Sequence, residues 1–203
     1  MKKQTQELIF NGALKAFSER GYNETNMEEI ARVCGIAKGT LYYNFKNKQE
    51  LYIYILKMGM EQFVCRIREV MDPIPREHVI ERVEQLIKVH YDFTREEQDF
   101  CRLLTSKGWV SQDQHFDIRQ VLANYFQFME GEIDSGKGQG YISPTLDTQT
   151  TANCLFGLFI FMPMRVIVWG DTSNLPEVRS TVKEFIYNAL GLKVPNKSWS
   201  DEL

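Results

Sequence analysis

The chain has 203 residues, 43% hydrophobic and 25% charged, with a formal net charge of −3. That balance is ordinary for a globular protein and excludes disordered and fibrous classes. The acidic total gives no sign of nucleic-acid binding, so a claim of that kind must rest on local arrangement. Cys34, Cys65, Cys101 and Cys154 are scattered, without a CxxC pair or a Cys/His cluster at metal-ligand spacing. Each reads as a small buried hydrophobe in a reducing compartment, and no metal or cofactor is expected.

In chain order, residues 5–20 place Ile9, Ala13 and Phe17 four apart, with Leu14 and Ala16 widening the stripe, which predicts an amphipathic helix ended by Gly21. Asn26 is a good N-cap for a short second helix over Met27, Ile30, Ala31 and Val33, with Glu29 placed to complete a capping box. Gly35 suits a tight turn, and residues 37–45 read as a third helix burying Leu41 and Phe45. Asn47 opens a long fourth helix that runs to about Met71, where Asp72-Pro73-Ile74-Pro75 stops it. Helical patterns follow over residues 77–93, 98–107, 113–135, 147–169 and 175–190. No segment alternates as a strand does. The expectation is an all-α chain with a helix-turn-helix domain over residues 1–46 and a larger helical domain over 47–203.

The glycines of Gly136-Lys137-Gly138-Gln139-Gly140 lack a GK[ST] ending and a preceding strand, so they predict a helix end and turn rather than a phosphate loop. The apolar run 154–169 contains Pro163 and Arg165 and is shorter than the roughly 20 residues a bilayer requires, so it reads as a buried soluble helix. The N-terminus lacks an apolar signal core, and the expected location is the cytoplasm, with no membrane partner.

Residues 26–48 carry the functional signal. Two helices of this length around a three- or four-residue glycine turn have helix-turn-helix spacing, and the second must offer side chains to the major groove while burying its opposite face. Lys38 can donate to guanine, Tyr42 can pack on a thymine methyl, and Gly39 lets the backbone approach closely. Thr40, Tyr43 and Lys48 suit phosphate oxygens. The competing role for Tyr42 and Tyr43 is packing between helices. Over residues 1–50 eight basic side chains face six acidic ones, and from Ala37 to Gln49 there are three lysines and no carboxylate.

The stretch GYNETNMEEIARVCGIAKGTLYYNFKNKQEL resembles the N-terminal signature of the TetR family of bacterial regulators. The resemblance follows Ile9, Ala13, Phe17, Gly21, Thr25, Ile30-Ala31, Gly35, Gly39-Thr40-Leu41-Tyr42, Phe45, Lys48 and Leu51. It departs at Ala37, where the family often has a Ser or Thr cap, at a cost of about 1 kcal/mol. The resemblance implies a homodimer that binds duplex DNA through Thr25, Ala37, Lys38, Gly39, Thr40, Tyr42, Tyr43, Asn44 and Lys48. It implies a repressor released from a palindromic operator by a small effector held in the C-terminal body.

The Phe and Met content there favours an apolar or aromatic effector. Candidate lining side chains are Phe63, Ile67, Tyr91, Trp109, Phe126 and Met129 on the middle helices, and Phe156, Phe159 and Met162 on the apolar helix. His90 and Arg165 are candidate polar anchors. The stripe of Val178, Val182, Phe185, Ile186, Ala189 and Leu190 is expected to complete a dimer interface. No spacing supports an enzyme: His78, His90 and His115 lie on separate segments, and no nucleophile is paired with a base.

Overall fold

A computed structural model of the chain describes residues 3–107, 118–161 and 175–192. All regular structure among them is helical: α1 (Lys3–Glu24), α2 (Met27–Val33), α3 (Lys38–Asn44), α4 (Lys48–Met71), α5 (Val79–Glu96), α6 (Gln98–Lys107), α7 (Ile118–Gly138), α8 (Thr148–Phe161) and α9 (Leu175–Leu190). The expected all-α class holds. Two compact units are present, one formed by residues 1–65 and 93–125, the other by residues 66–92 and 126–203. The chain passes from one to the other inside α4, α5 and α7.

In the first unit α1 packs on α2 and α6, and α2 on α3. Ile9, Ala13, Phe17, Ile30, Leu41, Leu51 and Ile55 form the buried stripe that the helical spacing predicts. Gly12 brings α1 against the end of α2, since a Cβ there would lie 2.7 Å from the Cys34 Cα. Gly59 does the same for α4 and the Phe100 ring of α6. The caps are those the sequence indicates, with one change. The Asn26 side chain accepts from the Glu29 N–H at 2.9 Å, and Asn47 accepts from the Glu50 N–H at 2.8 Å. The Glu29 carboxylate, however, lies 2.6 Å from Arg20. A guanidinium within reach is a stronger partner for it than a neutral N–H.

Gly21, φ 79°, interrupts α1 in the left-handed region, and Gly35, φ 66°, does so at the turn before α3. In the second unit the 136–140 glycines form the end of α7 and a turn at Gly140, φ 74°.

The cysteines do not all sit where their apolar flanks suggest. Cys34 and Cys101 are buried, and burial pushes their thiols up to about 11 and about 12. Cys65 and Cys154 are exposed. Both lie on helices where neighbouring positions supply the buried stripe, and an apolar local pattern does not say which side of its own turn a cysteine occupies.

Candidate functional site

The helix-turn-helix is held from beneath by α3's own apolar side. Leu41 is wholly buried and Phe45 nearly so, with the Phe45 ring centroid 4.9 Å from that of Tyr54. The opposite side stands free: Tyr42 is 42% and Tyr43 90% exposed. Packing between helices therefore does not account for Tyr43 and accounts for Tyr42 only in part, through its approach to Glu28 of α2. Ala37, Lys38 and Gly39 are also exposed, and Thr40 is half-buried. Ala37 caps α3 without a side-chain bond, as the departure from the family pattern implies. Asn44 is half-buried, and its amide donates to the Thr40 carbonyl at 2.7 Å.

Two members of the predicted DNA-binding set make contacts within the chain. Thr25 is buried, its hydroxyl donating to the Gly21 carbonyl at 2.7 Å and lying 3.3 Å from the Ala16 carbonyl. The Lys48 ammonium donates to the carbonyls of Tyr22, Asn23 and Thr25 at 2.5, 3.2 and 2.8 Å, and lies 4.4 Å from the Tyr22 ring centroid. Carbonyls at a helix C-terminus carry partial negative charge and lack intrahelical partners, which is why a threonine hydroxyl and a lysine are both useful there. Lys48→Ala leaves these carbonyls without their donor and is expected to lower stability by about 1–3 kcal/mol. Urea unfolding checks this, and an unchanged midpoint would show that water replaces the ammonium at no cost.

Sequence reasoning missed Glu28. Its carboxylate, in the first turn of α2, lies 2.5 Å from the Lys38 ammonium, and the Tyr42 hydroxyl approaches the same oxygen at 3.5 Å. The hydrogen bond from Lys38 holds the Glu28 carboxyl below its ordinary range, and Glu28 in turn raises Lys38. No local pattern signals it, because the meeting of Glu28 with Lys38 depends on how α2 and α3 cross.

The second unit contains a small, partly open cavity of about 40 Å³, room for a few waters and well below the volume of a formed small-molecule site. Its walls are largely aliphatic: Met71, Val79, Leu86, Met129, Ile133 and Leu155. Its polar lining comprises Arg76, Ser135 and the pair of Arg82 on α5, 7% exposed, with Glu132 of α7, to which Arg82 Nε donates at 2.8 Å and Nη2 at 2.7 Å. Arg82 Nη1 donates to the Met71 carbonyl at 2.7 Å and to the Ile74 carbonyl.

Of the sequence candidates for effector contact, Met129 borders this cavity. Phe63 instead belongs to the first unit, in an aromatic cluster with Phe93 and Tyr125 at 4.1 and 6.1 Å between centroids. In the second unit His90 stacks on Phe159 at 3.9 Å, and Phe126 meets Phe156 at 5.2 Å. Ile67 and Tyr91 are buried away from the cavity walls. Trp109, Met162 and Arg165 lie outside the described residues, as does Pro163.

Among the described residues no group of His, Cys, Asp and Glu is placed to hold a metal ion. None of the helices there is long and apolar enough to cross a membrane.

Residues 9–55 match the family model for bacterial regulatory proteins of the tetR family, and residues 56–186 match that for the C-terminal region of YsiA-like proteins. The chain belongs to the TetR family. It is a transcriptional regulator with an N-terminal helix-turn-helix, and not an enzyme. Similar curated TetR-family regulators include the fatty acid metabolism regulator protein of Bacillus subtilis, 26% identical over 73% of this chain and 76% of the relative. Another is the regulator UidR of Escherichia coli K12, 25% identical over 76% of this chain and 77% of the relative.

Two solved structures share the fold of this TetR-family chain. The fatty acid degradation regulator FadR from Bacillus halodurans superimposes with a TM-score of 0.80, at 22% identity, over 91% of this chain and 98% of its own. FadR from Bacillus subtilis, solved with stearoyl-CoA, gives a TM-score of 0.79 at 22% identity over 89% and 96% of the two chains.

Proposed function

We propose that this TetR-family chain is a cytoplasmic repressor that binds a near-palindromic operator as a homodimer and is released by a small, largely apolar effector. Residues 1–46 are the DNA reader, and residues 47–203 bind effector and partner subunit. The observation that carries the reading is the free face of α3, where Lys38, Gly39, Tyr42 and Tyr43 stand exposed opposite buried Leu41 and Phe45. Such a face enters a major groove with its first residues at base edges. Ala37, Thr40 and Asn44 flank it, while Thr25 and Lys48 shape the adjoining end of α1.

A two-fold dimer sets two such helices roughly 34 Å apart, one turn of DNA, which is why a near-palindrome is the expected target. The exposed Phe185 on α9 and Phe161 on α8 suit a surface that a second subunit covers.

The effector enters at the aliphatic cavity bordered by Met71, Leu86, Met129, Ile133 and Leu155, which must widen from about 40 Å³ to admit a chain. Its lining favours an alkyl chain over a polar metabolite. A curated relative named for fatty acid metabolism and a fold neighbour bound to stearoyl-CoA support an acyl effector. Helix α4 follows directly on the DNA reader and ends at Met71, on the cavity wall. Effector binding favours a conformer whose recognition helices no longer match the groove, a shift in population.

Selection of bound fragments from random duplex DNA, followed by binding assays with and without stearoyl-CoA, tests both parts. A palindromic duplex bound by two subunits is expected, released as stearoyl-CoA is added. Tyr42→Ala should reduce the preference for that duplex over random sequence by about 1–3 kcal/mol. Failure to recover any preferred duplex would remove the DNA reader, whereas unchanged affinity under saturating stearoyl-CoA would remove the acyl effector alone.

A further inference from the structure

The carboxylate of Glu28 belongs to α2, yet its partners are the two side chains of α3 best placed for base edges. Lys38 and Tyr42 are one helical turn apart, and both reach the same Glu28 oxygen, at 2.5 and 3.5 Å. The Lys38 ammonium also lies 5.6 Å from the Tyr42 ring centroid, so the three side chains form one exposed cluster. Glu28 occupies the first turn of its helix, where a negative charge is favoured by the helix dipole. An exposed ion pair of this kind contributes little to stability. Its consequence is for charge and orientation.

We propose that Glu28 is a specificity-determining residue: it orients Lys38 and Tyr42 on the face of α3 and withholds the lysine's charge from arbitrary phosphates. This rests on the reading of α3 as the DNA reader. Binding to random duplex is driven by lysines and arginines that displace condensed counterions. A lysine already neutralised by a carboxylate displaces none unless the pair opens, and that carboxylate repels the incoming phosphate. The operator presents a different partner. Guanine O6 and N7 accept from a lysine, and the cytosine amino group donates to a carboxylate. A donor and an acceptor held side by side can both be satisfied by base edges without separating.

The test uses the full-length chain, a random-sequence duplex, and the duplex that the wild type selects from a random pool. Glu28→Gln keeps the shape and removes the charge. It should raise affinity for random duplex by about fivefold at 0.1 M salt and steepen the salt slope by about 0.9, the signature of one added phosphate contact. Affinity for the selected duplex should rise less, so the specificity ratio falls. Glu28→Asp should restore both readouts toward wild type. In a Lys38→Gln background, Glu28→Gln should no longer steepen the slope, because the charge it releases is absent. Glu19→Gln, which removes an exposed carboxylate of α1 paired with Lys15, controls for net charge and should leave the slope unchanged.

An unchanged slope in Glu28→Gln, or the same steepening in Glu19→Gln, overturns the proposal. The slope on random duplex is read whether or not a preferred duplex exists, so this outcome is separate from failure of operator selection.

Discussion

Arg82→Met is expected to destabilise the folded chain by about 3–5 kcal/mol, the usual cost of removing one partner from a buried ion pair. For a chain of this size that corresponds to a fall of about 6–20 °C in the thermal midpoint. The reason is local. The Arg82 and Glu132 side chains are 8% and 16% exposed and meet through two charge-assisted bonds, and Arg82 also serves the carbonyls of Met71 and Ile74. Methionine fills much of the same volume but leaves a carboxylate unpaired in a low-dielectric setting and removes the Arg82 donor from the Ile74 carbonyl, while the Met71 carbonyl keeps the Ile74 N–H at 3.1 Å.

Adding Glu132→Leu should recover more than half of the loss, since replacing both charges with apolar groups removes the unpaired anion. Thermal unfolding at fixed protein concentration makes the comparison, because association shifts apparent stability. A loss below about 1 kcal/mol in Arg82→Met would mean that water reaches Glu132 and that the pair is effectively a surface one.

Acidification from pH 6.5 to pH 4 should destabilise the chain through His90 by about 3 kcal/mol, at roughly 1.4 kcal/mol per pH unit. His90 is 3% exposed, and burial pushes its pKa down to about 4 from an ordinary value of 6.5. Its Nδ1 lies 2.7 Å from the Leu86 carbonyl, which can only accept, so the neutral ring carries its proton there. Above pH 6.5 the ring is neutral in both folded and unfolded chains and contributes no pH dependence. Between 6.5 and 4 the unfolded chain binds a proton that the folded one refuses, so stability falls as pH falls. Below about 4 both forms are protonated and the His90 contribution levels off.

His90→Asn keeps an amide donor near the position of Nδ1 and does not titrate. Carboxylates with lowered pKa, such as Glu28 and Asp147, add their own acid loss at lower pH in both proteins. The measurement is urea unfolding at intervals from pH 7.5 to 4.5. The wild-type curve should decline more steeply than that of His90→Asn within this window. Parallel curves would place the ring in contact with solvent.

The helical elements, the Asn26 and Asn47 caps and the exposed side of α3 are legible in the sequence. Ile9, Ala13 and Phe17 at four-residue spacing, Asn26 and Asn47 as N-caps, and Gly35 at positive φ are local decisions, made by a side chain and a backbone a few residues apart. The exposure of Tyr42 and Tyr43 follows from the same periodicity once Leu41 and Phe45 are assigned inward.

The partners of Thr25, Lys48 and Arg82 depend on how the helices pack. Thr25 and Lys48 turn toward the end of α1, across 4 and 23–26 residues of chain, because unsatisfied carbonyls lie there. The cavity likewise drew just Met129 from the aromatic and sulfur candidates, since richness in Phe and Met cannot distinguish a filled core from a gap. The sequence does carry a trace of its polar wall: Arg82 lies in the spacing of Val79, Val83 and Leu86, and Glu132 beside Met129 and Ile133. Opposite charges on two apolar stripes imply a buried pair, but their partnership across 50 residues depends on how α5 and α7 pack, which no local pattern records.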